Sequence, residues 1–133
     1  MQSELFETGI AIRRKVLGDD YVDNAFAAAE GDDFQQALQE IITKVGWGAV
    51  WGRPGLEHKT RSMLTLAMVL ALNRPHEVGI HLRGALRNGC TREELREILI
   101  HAGCYCGWPA AVDGFIVAKK VFAELDAEQN ETK

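Results

Sequence analysis

The sequence predicts an all-α fold of six or seven helices. Apolar residues recur at helical spacing in several stretches, and capping residues, glycines and prolines separate those stretches. No segment alternates between apolar and polar residues for long, as a half-buried strand would. At 133 residues the chain has room for one domain with a hydrophobic core and is short for two. We therefore expect a single domain over residues 1–133.

The N-terminal third is predicted to form three helices. The first covers residues 3–16 and stops at Gly18, which suits a C-cap. The second covers residues 19–29 and closes at another glycine. Asp32 is placed to cap the third helix, because a side-chain oxygen there accepts from free backbone N–H groups. This third helix carries an apolar stripe formed by Phe34, Leu38, Ile41, Ile42 and Val45.

The middle of the chain is predicted to hold a loop and two helices. Glycines and a proline indicate a loop over residues 46–55, in which lie Trp47 and Trp51. A central helix follows over residues 56–73. Proline suits the first turn of the next helix, over residues 75–88, and Gly89 suits its left-handed stop.

Two further helices are predicted at the C-terminal end. Thr91 and Glu94 form a capping box, which opens a helix that reaches about residue 106. A glycine, a tryptophan and a proline break this helix, and the last one runs over residues 110–125. The polar tail over residues 127–133 is expected to fray.

The segment over residues 51–86 carries the functional prediction. A nearly all-apolar helix over residues 63–72 follows a charged segment that holds Arg53, Glu57, His58 and Arg61. A helix that is apolar on every side has to be buried, in a large core or between subunits. In a chain this small we expect other subunits to cover part of it, which predicts a homo-oligomer. Ionisable groups are thus predicted at the edge of a water-poor interior, the candidate active site.

His81 lies on or beside the apolar stripe of its helix, which is marked by Val78, Leu82, Ala85 and Leu86. One interpretation is a core histidine that is satisfied by one hydrogen bond. The other is a general acid or proton shuttle, because partial burial tunes the pKa of an imidazole near neutrality. The residues alone leave both interpretations open.

Three arginines are candidates for binding a small anionic substrate: Arg53, Arg61 and Arg83. A guanidinium group holds a carboxylate in a bidentate fork, which makes arginine suited to this role. Glu57 lies four residues before Arg61, so a surface ion pair is the alternative explanation for these two residues.

The helix after Thr91 carries a polar stripe formed by Glu94, Glu97, His101 and Tyr105. Such a stripe is more often solvated or part of an interface than catalytic. Cys104 and Cys106 point about 200° apart on a helix and cannot form a disulfide there. We expect both to serve as small buried apolar residues, and Cys90 to be incidental. The histidines lack a ligand spacing such as H-E-x-x-H, so no metal site is predicted.

Composition argues against several other classes of protein. The formal net charge is −4 and the basic residues are scattered, which disfavours a nucleic acid or an acidic membrane surface as partner. The longest apolar run is much shorter than the roughly 20 residues of a membrane-spanning helix. The N-terminus lacks the pattern of a signal peptide, and three cysteines suit a reducing cytoplasm better than a disulfide framework.

Four sequence strings between about Val45 and Phe122 carry a specific resemblance. They are R-P-G-L-x3-T-R-S, H-L-R-x-A-L-x-N-G, T-R-E-E-x-x-E and H-x-x-x-Y-C-G-x-P-A-A. Together they closely resemble the carboxymuconolactone decarboxylase family, within the alkylhydroperoxidase D-like superfamily. Redox members of that superfamily carry a C-x-x-C with a histidine four residues later. With that histidine aligned on His81, Arg74 and Glu77 stand where the cysteines would be, which excludes peroxide reduction by that dithiol.

The resemblance implies an all-helical trimer or hexamer of a cytoplasmic enzyme in the protocatechuate branch of the β-ketoadipate pathway. Such an enzyme converts 4-carboxymuconolactone, a lactone dicarboxylate, to 3-oxoadipate enol-lactone and CO2 without a cofactor. This reaction needs cations for the substrate, an apolar environment for the departing carboxylate and one proton donor. We expect His81 to be the donor, with Glu57 as the alternative donor or as the group that orients His81 or an arginine. The substrate-binding candidates are Arg53, Arg61, Arg83, Trp51, His101 and Cys106.

Three rival functions stay open. The first is a family member with the same scaffold that acts on another lactone or on a β-keto acid. A thiol-redox protein uses Cys104 or Cys106, which their positions on a helix disfavour. A non-catalytic oligomeric binding protein is the third, favoured only if no lactone is turned over.

Overall fold

A computed structural model describes residues 2–131 of the chain, with side chains from residue 4 onward. Over these residues the chain forms seven α-helices and one π-helix, and none of them is in a strand. The all-α prediction is therefore confirmed. The chain divides into two compact units, Met1–His58 and Lys59–Lys133. The assignment of residues 1–133 to one domain stays a prediction.

The first unit holds four helical segments. They are α1 (Gln2–Leu17), α2 (Asp19–Ala28), α3 (Asp33–Ile41) and the π-helix (Ile42–Val50). The predicted stop of α1 is confirmed, because Gly18 has a positive φ of 92°. The predicted cap of α3 is confirmed too, since the Asp32 carboxylate accepts from the backbone N–H groups of Phe34 and Gln35 at 3.0 and 3.3 Å.

The predicted loop over residues 46–55 is wrong for its first half. The π-helix continues directly from α3, and the backbone N–H of Trp51 still donates to the carbonyl of Gly46. Gly48 in the π-helix serves close packing instead of a turn. A Cβ atom on Gly48 would lie 2.5 Å from the carbonyl oxygen of Leu5 in α1, and a Cβ on Gly9 would overlap the carbonyl oxygen of Thr43.

The interior of the first unit contains a buried arginine. The Arg13 guanidinium donates to Gln39 at 2.8 Å and to the Thr43 hydroxyl at 3.2 Å, and it lies over the ring of Phe26. The apolar stripe of α3, by contrast, is exposed within the chain, with Phe34 85% exposed. An exposed apolar stripe of this kind marks a surface suited to a partner.

The second unit holds the other four helices. They are α4 (His58–Ala71, whose first residue closes the first unit), α5 (Pro75–Arg87), α6 (Arg92–Cys106) and α7 (Trp108–Glu131). Their core is formed by Leu66, Leu70, Val78, Leu82, Ala85, Cys90, Leu95, Leu99, Ala102, Ala110, Ala118 and Val121. Gly114 lets α7 approach α4, because a Cβ there would lie 2.7 Å from Leu70.

The predicted helix signals of the second unit are largely confirmed. Pro75 lies in the first turn of α5, and Gly89 after this helix has a φ of 99°. The capping box is present: the Glu94 N–H donates to the Thr91 hydroxyl at 3.0 Å, and the Thr91 N–H donates to the Glu94 carboxylate at 2.9 Å.

The last helix is longer than predicted at both ends. α7 begins at Trp108, because Pro109 in its first turn needs no N–H partner. It continues to Glu131, so the expected fraying is wrong for residues 127–131, and residues 132 and 133 lie outside the described part of the chain.

Helix α4 is buried on one side only within the chain. Ser62, Leu66 and Leu70 are buried, whereas Leu64, Met68 and Leu72 are exposed. Burial on every side is therefore wrong for the single chain, and coverage of the exposed side by other subunits stays a prediction. Among the described residues, no helix has both the length and the apolar character that crossing a membrane requires.

Candidate active site

His81 lies on the buried face of α5, as predicted. The face is formed with Val78, Leu82 and Ala85, and the His81 residue is only 8% exposed. Burial lowers the pKa of His81, because a low-dielectric surrounding disfavours the charged imidazolium, and the nearby Glu77 carboxylate partly offsets this by raising it. The imidazole of His81 is thus largely shielded from water.

Among the residues that the structure describes, Glu77 carries the carboxylate that lies beside His81. Its Oε2 atom is 3.6 Å from His81 Nε2, and its side chain is 45% exposed. The two residues are separated by one helical turn, so their side chains lie on the same side of α5. The candidates taken from the sequence omit Glu77, although the spacing from His81 is a signal that could have identified it.

Arg83 lies on another side of α5, where it contacts α7. Its guanidinium is 3.2 Å from Glu124 and 3.5 Å from Glu128. Neighbouring Arg87 belongs to the same charged group: burial lowers the pKa of Arg87, Arg83 lowers it further and Glu128 raises it. The predicted substrate-binding role of Arg83 therefore competes with a contact between two helices, and it stays a prediction.

Arg61 is half-buried in the second turn of α4. Its backbone carbonyl accepts from the Thr65 hydroxyl at 2.8 Å. On the buried face of the same helix, Asn88 at the end of α5 donates to the Ser62 hydroxyl at 2.9 Å. This bond ties the beginning of α4 to the end of α5, the two helices that carry Arg61 and His81.

The N-terminal unit holds the candidates Trp51, Arg53 and Glu57. Trp51 is buried, and its ring lies 4.8 Å from that of Trp47 and 5.7 Å from the imidazole of His58. Arg53 and Glu57 are exposed. The substrate-binding roles of Trp51 and Arg53 and the catalytic role of Glu57 stay predictions.

His58 links this segment to α1. The Lys15 ammonium lies 2.9 Å from His58 Nδ1, and His58 Nε2 lies 3.2 Å from the carbonyl oxygen of Trp51. An ammonium group only donates, so Nδ1 accepts and Nε2 carries the proton given to the carbonyl. His58 thus connects Lys15 of α1 to the backbone carbonyl of Trp51.

The candidates on α6 are exposed. His101 lies against Tyr105, with 5.2 Å between ring centroids, and Cys106 is a free exposed thiol, as is Cys104. The prediction that both cysteines are small buried residues is wrong, because the buried face of α6 is formed by Leu95, Leu99, Ala102 and Gly103. The substrate-binding roles of His101 and Cys106 stay predictions.

Cys90 is a core residue instead of an incidental one. It is buried with the apolar residues of the second unit, and this burial raises the pKa of its thiol. In the part of the chain that the structure describes, no three histidine, cysteine or carboxylate side chains lie together in a group that could hold a metal ion.

The fold and the site together define an all-α protein with a buried histidine beside a carboxylate. Residues 36–120 match the carboxymuconolactone decarboxylase family. The chain belongs to that family, and the resemblance carried by its sequence strings is confirmed.

Three known proteins are similar to this chain over most of its length. A nitrosuccinic acid decarboxylase of Metarhizium robertsii is 42% identical over 94% of this chain and 86% of its own length. A 4-carboxymuconolactone decarboxylase of Acinetobacter baylyi is 39% identical over 90% of this chain and 88% of its own. An uncharacterized 15.0 kDa protein of Paracoccus denitrificans is 33% identical over 65% of this chain and 66% of its own. The first two relatives are named as decarboxylases of different acids.

Proposed function

We propose that this protein is a carboxy-lyase that converts 4-carboxymuconolactone to 3-oxoadipate enol-lactone and CO2 without a cofactor. The observation that carries the proposal is the buried imidazole of His81, in a chain 39% identical to a 4-carboxymuconolactone decarboxylase over 90% of its length. A decarboxylase needs a proton donor that is kept away from bulk water, and His81 has this character.

The chemistry follows from the substrate, a butenolide with a carboxylate on its γ-carbon and an acetate arm. When the carbon–carbon bond to the γ-carboxylate breaks, CO2 leaves and the electron pair moves through the ring double bond toward the lactone carbonyl. The resulting dienolate accepts a proton on the α-carbon and becomes the enol-lactone. The protein has to stabilise the developing oxyanion and to supply this one proton.

His81 is the proposed proton donor in this scheme. The imidazolium N–H bond breaks as the new C–H bond forms, and the imidazole is left neutral. Its apolar surroundings on α5 also favour loss of CO2, because the negative charge that is concentrated on the carboxylate spreads over the dienolate, which needs less solvation by water. Glu57 is the alternative donor, or the group that orients His81 or an arginine.

Arginine side chains are the proposed partners of the substrate carboxylates. Arg61 and Arg83 are the candidates in the C-terminal unit, and Arg83 also binds two glutamates of α7. Arg53 and Trp51 in the N-terminal unit, and His101 and Cys106 on α6, are further proposed contacts.

A second substrate is favoured by one specific observation, the 42% identity to a nitrosuccinic acid decarboxylase over 94% of this chain. In nitrosuccinic acid, one carboxylate shares its carbon with a nitro group. Loss of CO2 from that carbon gives a nitronate, and protonation on carbon completes the reaction. Both substrates are dicarboxylates that leave a delocalised carbanion, so one proton donor serves either.

The experiment is a direct comparison of the two acids in the presence of EDTA. Freshly generated 4-carboxymuconolactone and nitrosuccinic acid are each incubated with the purified protein, and CO2 release and products are followed by NMR. A kcat/KM at least about tenfold higher for the lactone, equivalent to 1.4 kcal/mol, supports the proposal. The reverse ratio assigns the protein to nitrosuccinic acid. No turnover of either acid directs the search to other lactones, to β-keto acids or to a binding role.

The same proposal includes a cytoplasmic homo-oligomer, a trimer or a hexamer. The support is the apolar surface left exposed on α3, α4 and α7 of the single chain. The thiol-redox alternative rests on the exposed Cys104 and Cys106. Decarboxylation that survives replacement of both by serine would eliminate a thiol mechanism.

A further inference from the structure

We infer that Glu77 is a positioning residue that returns a solvent proton to His81 after each turnover. The inference rests on the proposed function, in which His81 donates a proton to the carbanion. It adds a residue to which neither the sequence motifs nor the named relatives give a role. The reaction requires that His81 regain a proton after each turnover, and the buried position of His81 hinders this.

Decarboxylation followed by protonation consumes one proton per turnover. The substrate loses a carboxylate as CO2, and a hydrogen takes its place on carbon. His81 gives up its proton in this step and has to be protonated again before the next substrate reacts. Because His81 is only 8% exposed, direct transfer from bulk water to the imidazole is restricted.

Glu77 is placed to make this transfer. Its side chain is 45% exposed, while Oε2 lies 3.6 Å from His81 Nε2, so one carboxylate reaches both water and the buried ring. A distance slightly longer than a hydrogen bond is closed by a small side-chain rotation or by one bridging water. Pro75 in the first turn of α5 fixes the start of the helix that presents both side chains.

The proton moves in two balanced steps. The Glu77 carboxylate takes a proton from a water molecule or a buffer acid, whose hydroxide or conjugate base returns to bulk solvent, and becomes a carboxylic acid. Its O–H bond then breaks as an N–H bond forms at His81 Nε2, which restores the imidazolium and the carboxylate. The carboxylate also favours the imidazolium that it creates, since its charge raises the pKa of His81 against the effect of burial.

Glu77 differs from other acids near α5 in its ion-pair partner. Glu124 and Glu128 on α7 are bound to the permanently charged Arg83. Among the ion pairs of the described residues, Glu77 contacts only His81. A carboxylate beside a histidine can exchange a proton, whereas one held by arginine stays deprotonated.

The first test measures the pair without any substrate. His81 is titrated by NMR in the wild type and in Glu77→Gln, with Glu93→Gln as control because Glu93 is an acidic residue in the first turn of α6. We expect the pKa of His81 to fall in Glu77→Gln and to match the wild type in Glu93→Gln. A His81 pKa unchanged by Glu77→Gln overturns the inference.

The second test measures proton supply during turnover. In dilute buffer, we expect Glu77→Gln to lower kcat about tenfold or more with little change in KM, because general acid catalysis contributes about 10²–10⁴. Rising concentrations of imidazole buffer should restore kcat, because a buffer acid at the exposed position of residue 77 replaces the missing carboxylate, and Glu77→Asp should retain part of the rate. A purely structural role would not produce dependence on buffer concentration.

The outcomes separate this inference from the proposed function. Wild-type kcat for Glu77→Gln in dilute buffer overturns the role in proton supply, as does a lowered kcat that buffer does not restore. If the wild type turns over neither acid, the proposed function fails and proton supply fails with it. The NMR titration then still decides whether the two side chains are coupled.

Discussion

Arg83 and Glu124 form an ion pair between α5 and α7, with 3.2 Å between the guanidinium nitrogen and the carboxylate oxygen. Glu128 adds a second carboxylate at 3.5 Å. From the sequence, the same arginine is predicted to bind the substrate. A guanidinium has five N–H donors, so Arg83 can hold Glu124 and still present donors to another carboxylate. The two roles predict different responses to substitution.

For Arg83, we predict separable effects on stability and on substrate binding. Arg83→Gln and Glu124→Gln should each lower the free energy of unfolding by about 1 kcal/mol or less, because the glutamates are well exposed and solvent screens the pair. Only Arg83→Gln should raise KM. Urea denaturation and steady-state kinetics measure these effects. If Arg83→Gln leaves KM unchanged, the arginine belongs to the helix contact alone.

The proton donor is tested most directly by His81→Ala. We expect kcat to fall by about 10²–10⁴, the usual contribution of general acid catalysis, while the protein stays helical by circular dichroism. His76→Ala, which alters an exposed imidazole on the same helix, is the comparison. Near-normal turnover by His81→Ala would move the donor role to Glu57 or to His101.

Stability should depend on pH through His81. Burial lowers the pKa of His81 in the folded protein below its ordinary value of 6.5, so the unfolded chain binds more protons between the two values. Stability is therefore full above pH 6.5 and falls as the pH decreases toward the folded-state pKa. We expect His81→Asn to flatten this part of the pH profile in urea denaturation. An identical slope in wild type and variant would show that other groups cause the dependence.

Local signals in the sequence were sufficient to predict most helix ends. The Asp32 cap, the Thr91–Glu94 capping box and Pro75 in a first turn each involve only a few adjacent residues. Such signals depend on backbone groups within one helical turn, so distant parts of the chain do not change them. The burial of His81 was predictable for a related reason, because the apolar spacing along α5 defines one face.

Features that depend on a distant partner were not predictable. Glycine serves a turn or a close approach equally well, and only the position of α1 shows that Gly48 serves the second purpose. The predicted burial of the two cysteines of α6 was wrong for the same reason, since the buried face of this helix depends on where α7 lies. A Cβ on Gly103 would lie 2.6 Å from the Cβ of Ala111 in α7, whereas Cys104 and Cys106 are exposed.

Because α1 and the π-helix are in close contact, we predict that one added methyl group between them lowers the free energy of unfolding strongly. Gly9→Ala would place a Cβ against the carbonyl oxygen of Thr43, so one of the two backbones has to move. We expect a loss of about 3 kcal/mol in the free energy of unfolding, at the upper end of overpacking effects. Gly46→Ala in the π-helix is the matched control, because its Cβ would meet no atom within 4 Å. Equal stability of the two variants would contradict the close packing.

The exposed apolar side of α7 predicts assembly with further copies of the chain. Ile116 is 64% exposed and lines an open groove of about 610 Å³ together with Ile100, Trp108, Ala111, Val112, Phe115 and Lys119. We expect light scattering after gel filtration to give three or six times the chain mass of 14.7 kDa.

Ile116→Lys should reduce this mass while the helices remain, because a charge placed in an apolar interface has no partner there. Lys120→Glu changes an exposed residue on the same helix outside the groove, and it should assemble as the wild type does. A wild type with the mass of one chain would contradict the predicted oligomer. An assembled Ile116→Lys would instead place the contact on the exposed sides of α3 or α4, where Phe34 and Met68 are the next residues to substitute.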